Sequence, residues 1–292
     1  AAKSFLVSSG KVKITINGEK TIEVDGGSTL LTTLGNEGIF LPSACGGGGT
    51  CVQCTCQVHS GGGSILPTEE PHFSRKQIAD NFRLGCQVKV KEDMEIEVEE
   101  EIMGIKEWEA TVVSNYNVAT YIKEFIVEIP EDMDYKAGGY IQIKIPKGEV
   151  KFSDMDIKAH PTDHPGEPDK FEKDWVDGKF AIRDLVMKND EEVVIAYSMA
   201  SYPAEGRNIM LNVRVAAPPW DRGKDSWMDV NPGVASSYIF NQKAGDKVTI
   251  SGPYGEFFIN HSEAEMLYIG GGAGMAPMRS HLYELFKTLK TG

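Results

Sequence analysis

The sequence predicts a multidomain chain of mixed class. An α+β module of β-grasp order comes first, an antiparallel all-β barrel follows, and the opening of a doubly wound α/β module comes last. Three observations carry this. Residues 10–102 read as hairpin, short helix, glycine-rich loop and returning strands. Residues 103–262 hold successive strands of alternating polarity, punctuated by Pro130, Gly138-Gly139 and Pro146. Residues 263–292 run in the order apolar strand, glycine turn, helix.

Composition narrows the function classes. The 292 residues suit two or three domains, and 41% hydrophobic with 25% charged residues is ordinary for a soluble globular protein. Acidic residues number 43 against 30 basic ones, a net charge of −13. Nucleic acid is thereby disfavoured as a partner, because phosphate binding needs a basic face. No apolar run reaches the length of about 18 residues that a membrane span needs. The first ten residues do not read as a signal peptide.

In the first module, 11–16 and 21–24 alternate around Asn17-Gly18, a hairpin signal. Ser28 can cap a helix carrying Leu30, Leu31 and Leu34, and Gly35 or Gly38 can end it. Residues 54–59, 87–90 and 94–98 read as strands. Between them lies Cys45-Gly46-Gly47-Gly48-Gly49-Thr50-Cys51-Val52-Gln53-Cys54, a C-x5-C-x2-C pattern, and Cys86 follows at a distance. This resembles the ferredoxin pattern for a [2Fe–2S] cluster, with three thiolates on one loop and a fourth elsewhere. The glycines let successive amides turn inward toward sulfur. Zinc accepts four thiolates but usually through paired C-x2-C units. A disulfide framework suits small secreted domains, and a Rieske centre needs two histidines. Cys56 reads as a small packed side chain. Residues 92–101 carry seven acids, either a solvated edge or a docking surface for a basic partner.

Farther on, 109–113, 123–129 and 140–145 read as strands. Residues 147–180 are polar and turn-rich, and read as a long insertion. His160 and His164 lie beside acids there, without regular spacing to a third metal ligand. The strand at 191–197 ends in Ala196-Tyr197-Ser198-Met199-Ala200, and 210–215 alternates again. Residues 231–239 form a turn into a helix whose free amides suit a phosphate. An apolar strand at 266–269 leads into Gly270-Gly271-Gly272-Ala273-Gly274. A helix over 281–289 follows, with Leu282, Leu285 and Leu289 on one face. This order suits a pyrophosphate.

Together these pieces resemble a ferredoxin-reductase-type flavoprotein with a plant-type ferredoxin module at its amino end. Residues 43–54, 61–68, 196–200, 251–258 and 270–280 narrow the likeness to one family, the F subunits of bacterial Na+-translocating NADH:quinone oxidoreductases. The x5 spacing suits that family better than soluble oxygenase reductases, which usually resemble the x4 pattern.

The resemblance implies a [2Fe–2S] cluster on Cys45, Cys51, Cys54 and Cys86. It implies FAD on the barrel, with Tyr197 packed on the flavin, Ser198 bonded near N5 and Met199 beside them. Asn212, Val213 and Arg214 would line the flavin. Gly233, Val234, Ser236 and Ser237 would hold its diphosphate. NADH would bind over Gly270, Gly271, Gly272, Gly274, Ala276 and Pro277, in an NADH-binding domain. Hydride would pass from NADH to FAD, and single electrons to the cluster and on to membrane subunits, with quinone reduced indirectly. The place would be the cytoplasmic face of the bacterial inner membrane. A soluble oxygenase reductase, or an electron carrier without NADH turnover, is the alternative.

Three departures stand out. The family's Arg-x-Tyr-Ser begins here with Ile195, leaving Arg183, Arg207, Arg214 or Arg222 to meet the flavin phosphate. The family's amino-terminal membrane helix is absent, so 1–9 is expected to be a residual linker. The doubly wound domain has only its first strand, glycine loop and helix, so either more chain is expected beyond Gly292 or NADH oxidation is expected to be weak.

Overall fold

The computed structural model describes residues 10–260, 262 and 264–291; the linker expected at 1–9 lies outside them. The chain divides into two units, Ala1–Glu107 and Trp108–Gly292. The break between them falls after Glu107, and residues 264–291 lie in the second unit.

The first unit is a five-stranded mixed sheet. Its elements are Lys11–Ile16 (β1), Lys20–Asp25 (β2), Leu30–Asn36 (α1), Thr55–Ser60 (β3), Arg75–Ala79 (α2), Phe82–Leu84 (β4) and Met94–Glu97 (β5). The order is β2-β1-β5-β3-β4, with β1 and β5 parallel. The hairpin turn forms where expected, because Asn17 and Gly18 both accept positive φ, 53° and 70°. Val12, Ile14 and Ile16 alternate inward and are buried, as are Leu30, Leu34 and Leu84. Two expectations are corrected. Thr29, not Ser28, caps α1, its hydroxyl accepting from Thr32 N–H, because the Ser28 carbonyl is drawn aside to the Val90 amide. Residues 87–90 form no strand; their amides turn back to Leu84 and Ser28 instead of pairing with a strand.

Strand Lys106–Ala119 (β6) crosses into the second unit, where Ile122–Glu128 (β7), Tyr140–Ile145 (β8) and Gly148–Lys151 (β9) come next. Glu172–Val176 (α3), Val186–Asn189 (β10), Val193–Ser198 (β11), Asn208–Arg214 (β12), Trp220–Asp221 (β13) and Ser226–Trp227 (β14) follow. Val234–Asn241 (α4), Lys247–Tyr254 (β15) and Ala276–Tyr283 (α5) complete it. Six strands form one sheet, ordered β11-β8-β15-β6-β7-β12. Its edge strands are joined beyond β11, where Met199 bridges Leu211 and the Ala200 amide donates to Met210 O at 2.7 Å. Closure therefore rests on this short link, not on a continuous ladder.

The strand expected at 266–269 is absent. Leu267 is 86% and Ile269 78% exposed, and no described strand lies alongside to take their backbone groups. Helix α5 instead docks on the sheet's end. Ser280 Oγ donates to Ser201 O (2.7 Å) and accepts from the Gly138 amide (3.2 Å). His281 Nε2 meets Phe257 O at 3.0 Å.

The segment 147–180 is also more than a polar loop. Phe152, Met155, Ile157 and Trp175 are buried in the barrel core. Arg183 knits the segment together through Glu172 and the carbonyls of Phe152 and Met155. Beneath it, Lys123 on β7 is fully buried, and its Nζ donates to Asn115 O (2.8 Å) and Asp156 O (2.6 Å). Burial pulls this ammonium down from 10.5 to about 8. Between those values the unfolded chain holds a proton that the folded chain has released, so folding stability rises with pH. The urea midpoint of the wild type is expected to climb relative to Lys123→Met between about pH 8 and 10. Parallel profiles would refute the assignment.

Candidate functional site

The cysteine loop is shaped by backbone turns that side chains resist. Gly46, Gly47 and Gly49 have positive φ, and so does Val52 at 63°. At Gly49 a Cβ would come within 2.8 Å of Gln87 Nε2. At Gly85, beside Cys86, it would come within 2.8 Å of Leu41 Cδ1.

The turns aim amides at sulfur. Burial would raise the Cys45 thiol, but N–H bonds from Cys51 and Thr50 outweigh it and bring Cys45 to about 6. Cys86 falls to about 6 as well, led by the hydrogen bond from the Cys54 thiol and aided by the Gly49 amide. Cys54 is pushed up in return, as the donor of that bond. The thiols thus group as Cys45 with Cys51 and Cys54 with Cys86. Among the described residues, no three His, Cys, Asp or Glu side chains gather as a single ion would require. Four thiols, with amides turned toward Cys45, Cys54 and Cys86, suit a two-iron cluster, which they would hold as thiolates. Cys56 lies apart as a buried neutral thiol, pushed by burial to about 12.

Sequence reading missed the support behind Cys86. Glu69 and Arg83 form a buried ion pair at 2.8 Å, with side chains 0% and 7% exposed. Arg83 also donates to the carbonyls of Gly62 and Gly63, and Glu69 accepts the Leu84 and Leu66 amides. Burial would raise the Glu69 carboxyl, but these bonds hold it below its usual range. The available signal was Arg83 set between Phe82 and Leu84, a cation at a strand position flanked by apolar residues.

In the second unit, β11 carries Tyr197 partly buried against the core and Ser198 exposed opposite Tyr140. Burial raises the Tyr197 hydroxyl above its ordinary value. Met199 is buried, its amide donating to Gly139 O at 3.0 Å. Tyr140 stacks on Tyr254 at 5.2 Å, and Tyr254 Oη lies 2.9 Å from Ser251 Oγ. On β12, Asn212 and Arg214 face away from the core, whereas the Val213 side chain lies within it and offers only backbone.

Gly233 begins α4, and Val234 is half-buried. The Ser236 hydroxyl is committed, accepting from Ala216 N–H and donating to Gly233 O. Ser237 Oγ is fully buried with no hydrogen-bond partner, an unmet polar group that suits a polar ligand at this helix start. Of the four arginines expected to meet the flavin phosphate, Arg183 is spent on Glu172 and Arg207 on Glu128. Arg214 and Arg222 are exposed, with no partner among the described residues. Ile195 packs against the barrel core.

Gly270 and Gly271 are irregular backbone, and Gly272 to Met275, with Gly274, form one tight turn before α5. Pro277 stands in the first turn of α5, and Ala276 is buried. The loop and helix of a pyrophosphate turn are therefore present without its strand.

Comparison with known proteins agrees with this division. Residues 14–91 match the family model described as a 2Fe-2S iron-sulfur cluster binding domain. Residues 174–259 match the oxidoreductase FAD-binding domain. Among solved structures, an Amycolatopsis cytochrome P450 reductase, GcoB, aligns with TM-score 0.53 and 22% identity, covering 94% of this chain and 68% of its own. The ferredoxin reductase in carbazole 1,9a-dioxygenase aligns with TM-score 0.52 and 20% identity, covering 95% and 71%. Both show the fold alone. The F subunit of the Na(+)-translocating NADH-quinone reductase of Marinomonas sp. (strain MWYL1) is 50% identical over 293 residues, covering 100% of this chain and 68% of the relative. That of Methylococcus capsulatus is 53% identical over 292 residues, covering 99% and 68%. At 50–53% identity over 99–100% of its length, with 68% of each relative covered, the chain belongs to the family of F subunits of the Na(+)-translocating NADH-quinone reductase.

Proposed function

We propose that this chain is the electron-input subunit of a sodium-pumping NADH:quinone oxidoreductase, oxidising NADH and feeding single electrons toward the membrane subunits. The observation that carries the reading is the presence of four cysteine thiols, three of them met by backbone amides, on one unit and of a flavoprotein-type barrel on the other. Cys45, Cys51, Cys54 and Cys86 would hold the [2Fe–2S] cluster. Tyr197, Ser198 and Met199 would meet the flavin of FAD, with Asn212, the Val213 backbone and Arg214 alongside. Gly233, Val234 and Ser237 would meet the diphosphate, while Ser236 shapes the turn. The glycine loop from Gly270 to Gly274, with Ala276 and Pro277, would take NADH. FAD, when bound, accepts a hydride and releases electrons one at a time, which a one-electron cluster requires. Partner subunits would carry sodium and reduce quinone, with this chain at the cytoplasmic face of the bacterial inner membrane. Among the described residues, no helix is long and apolar enough to cross a membrane.

The test is a visible spectrum of the purified chain with NADH added, then dithionite. Bleaching of flavin and iron–sulfur bands by NADH supports the reading. Bleaching by dithionite alone would remove NADH oxidation from it. Absence of either chromophore after reconstitution would sink it. A further result follows at Ile195. Placing a cation there adds a charge-assisted bond to a phosphate, so Ile195→Arg is expected to tighten FAD by about tenfold or more. An unchanged dissociation constant would refute the idea that the missing cation at this position weakens FAD.

A further inference from the structure

The stretch 66–69 is a tight turn tied at both ends. The Glu69 amide donates to Leu66 O (2.9 Å), and the Leu66 amide returns to the Glu69 carboxylate (3.0 Å), which Arg83 holds in turn. Thr68 is thereby fixed at the surface, and its hydroxyl donates to Gln87 Oε1 at 3.4 Å. With the oxygen so occupied, the other end of that carboxamide faces inward. Gln87 Nε2 donates to Cys86 Sγ at 3.6 Å. The backbone of Gln87 is anchored as well, its amide donating to Leu84 O at 2.8 Å.

A glycine makes room for the carboxamide. Gly49 has φ 74°, and a Cβ there would lie 2.8 Å from Gln87 Nε2 and 3.4 Å from its Cδ. A side chain at position 49 would therefore push the donor off sulfur. The Gly49 amide is itself turned to the same sulfur. Cys86 is buried and Gln87 half-buried, so this bond is shielded from water, where a hydrogen bond is electrostatically stronger. Packing alone does not account for the arrangement. A methionine would fill the same space, and would need neither a hydroxyl on its far side nor a bare backbone beneath it.

We infer that the Gln87 carboxamide, braced by Thr68 and admitted by Gly49, raises the reduction potential of the [2Fe–2S] cluster by donating to the Cys86 sulfur. The inference rests on the reading that Cys45, Cys51, Cys54 and Cys86 hold that cluster. Reduction brings in one electron; no bond breaks and no proton moves. The added negative charge is shared with the ligand sulfurs, so a fixed N–H donor stabilises the reduced state more than the oxidised one. Thr68 carries the effect one step farther out, because its hydroxyl holds the oxygen of the carboxamide away from sulfur. Gln87 is thus a positioning residue that acts through a ligand without being one.

The test is a potential, not turnover. The purified chain with its cluster is titrated with dithionite in the presence of redox mediators, and the EPR signal of the reduced cluster is scaled to bound iron. Gln87→Met keeps the length of the side chain and removes the donor. Its midpoint is expected to fall, the equilibrium constant for taking up one electron dropping by about three- to tenfold, or up to about 59 mV. Thr68→Val is expected to fall in the same direction by less, whereas Thr68→Ser, which keeps the hydroxyl, is expected to stay at the wild-type value. A general loosening of the unit would not separate valine from serine in this way. An unchanged or higher midpoint in Gln87→Met overturns the inference and leaves the cluster reading intact. If Gln87→Met sheds its cluster, Thr68→Val decides: a fall that Thr68→Ser does not share supports the inference, and an unchanged midpoint overturns it. A wild-type chain that takes up no cluster on reconstitution overturns the cluster reading, and the inference with it.

Discussion

Glu69→Ala is expected to destabilise the first unit by about 3–5 kcal/mol and to deplete its iron–sulfur cluster on purification. The mutation leaves the Arg83 guanidinium buried, and that cation cannot shed its proton. It also orphans the Leu84 and Leu66 amides. Leu84 is two residues before Cys86, and the intervening Gly85 amide donates to Cys54 O, so the disturbance reaches the second thiol pair directly. Arg83→Met behaves differently, because the buried carboxylate it exposes to an apolar site can take up a proton. In the wild type the Glu69 carboxyl is held low, so its stabilisation is present above the ordinary carboxylate range and is lost as pH falls through the depressed value. In Arg83→Met the carboxyl moves up, and protonation relieves the variant as pH falls. The stability gap between wild type and Arg83→Met is therefore expected to be narrower at pH 5 than at pH 8 in urea unfolding. A gap that stays constant would show that the pair does not carry the effect. Glu69→Leu/Arg83→Met removes both charges and is expected to recover the part of the loss due to the unpaired Arg83 cation, but not the part due to the Leu84 and Leu66 amides, which stay without an acceptor.

What could be read from the sequence follows the range over which each feature is encoded. The Asn17-Gly18 hairpin is local, because only residues tolerant of positive φ suit that turn, and it formed where expected. The cysteine loop is nearly as local, its glycines marking where amides must turn toward sulfur. The Glu69–Arg83 pair is fourteen residues apart in the chain, with no periodicity linking the partners, so nothing local in the sequence joins them. The strand at 266–269 failed for the opposite reason. Its apolar pattern is a strand signal, but a strand exists only with a neighbour, and the described residues supply none. The hydroxyls of α4 show the same limit. Sequence offered Ser236 and Ser237 as equals, whereas the Ala216 turn consumes one and leaves the other unbonded.

The segment 147–180 departs furthest from its polar composition, and Trp175 tests its place in the core. Trp175→Ala is expected to cost the second unit about 3–5 kcal/mol, the range for deleting a buried aromatic side chain. The ring is 0% exposed, stacks on Phe240 of α4 at 5.7 Å, and donates its Nε1–H to Thr120 O at 2.6 Å. Its loss opens a cavity and leaves that carbonyl without its donor. Because Phe240 lies in the same helix as Ser237, a slackened α4 is expected to weaken FAD as well, although Trp175 need not touch the cofactor. Trp175→Phe keeps most of the contact and is expected to lose clearly less of both stability and FAD affinity. Urea unfolding followed by tyrosine and tryptophan fluorescence reads the second unit, and the visible bands of the cluster follow the first. A cost below about 1 kcal/mol would mean that the segment merely lies on the barrel, as its composition suggests. A large cost confined to the second unit means that its few apolar residues complete the core under α4. A polar average over 147–180 conceals that role, because Phe152, Met155, Ile157 and Trp175 are spread singly among turns, where no window of fixed period can register them.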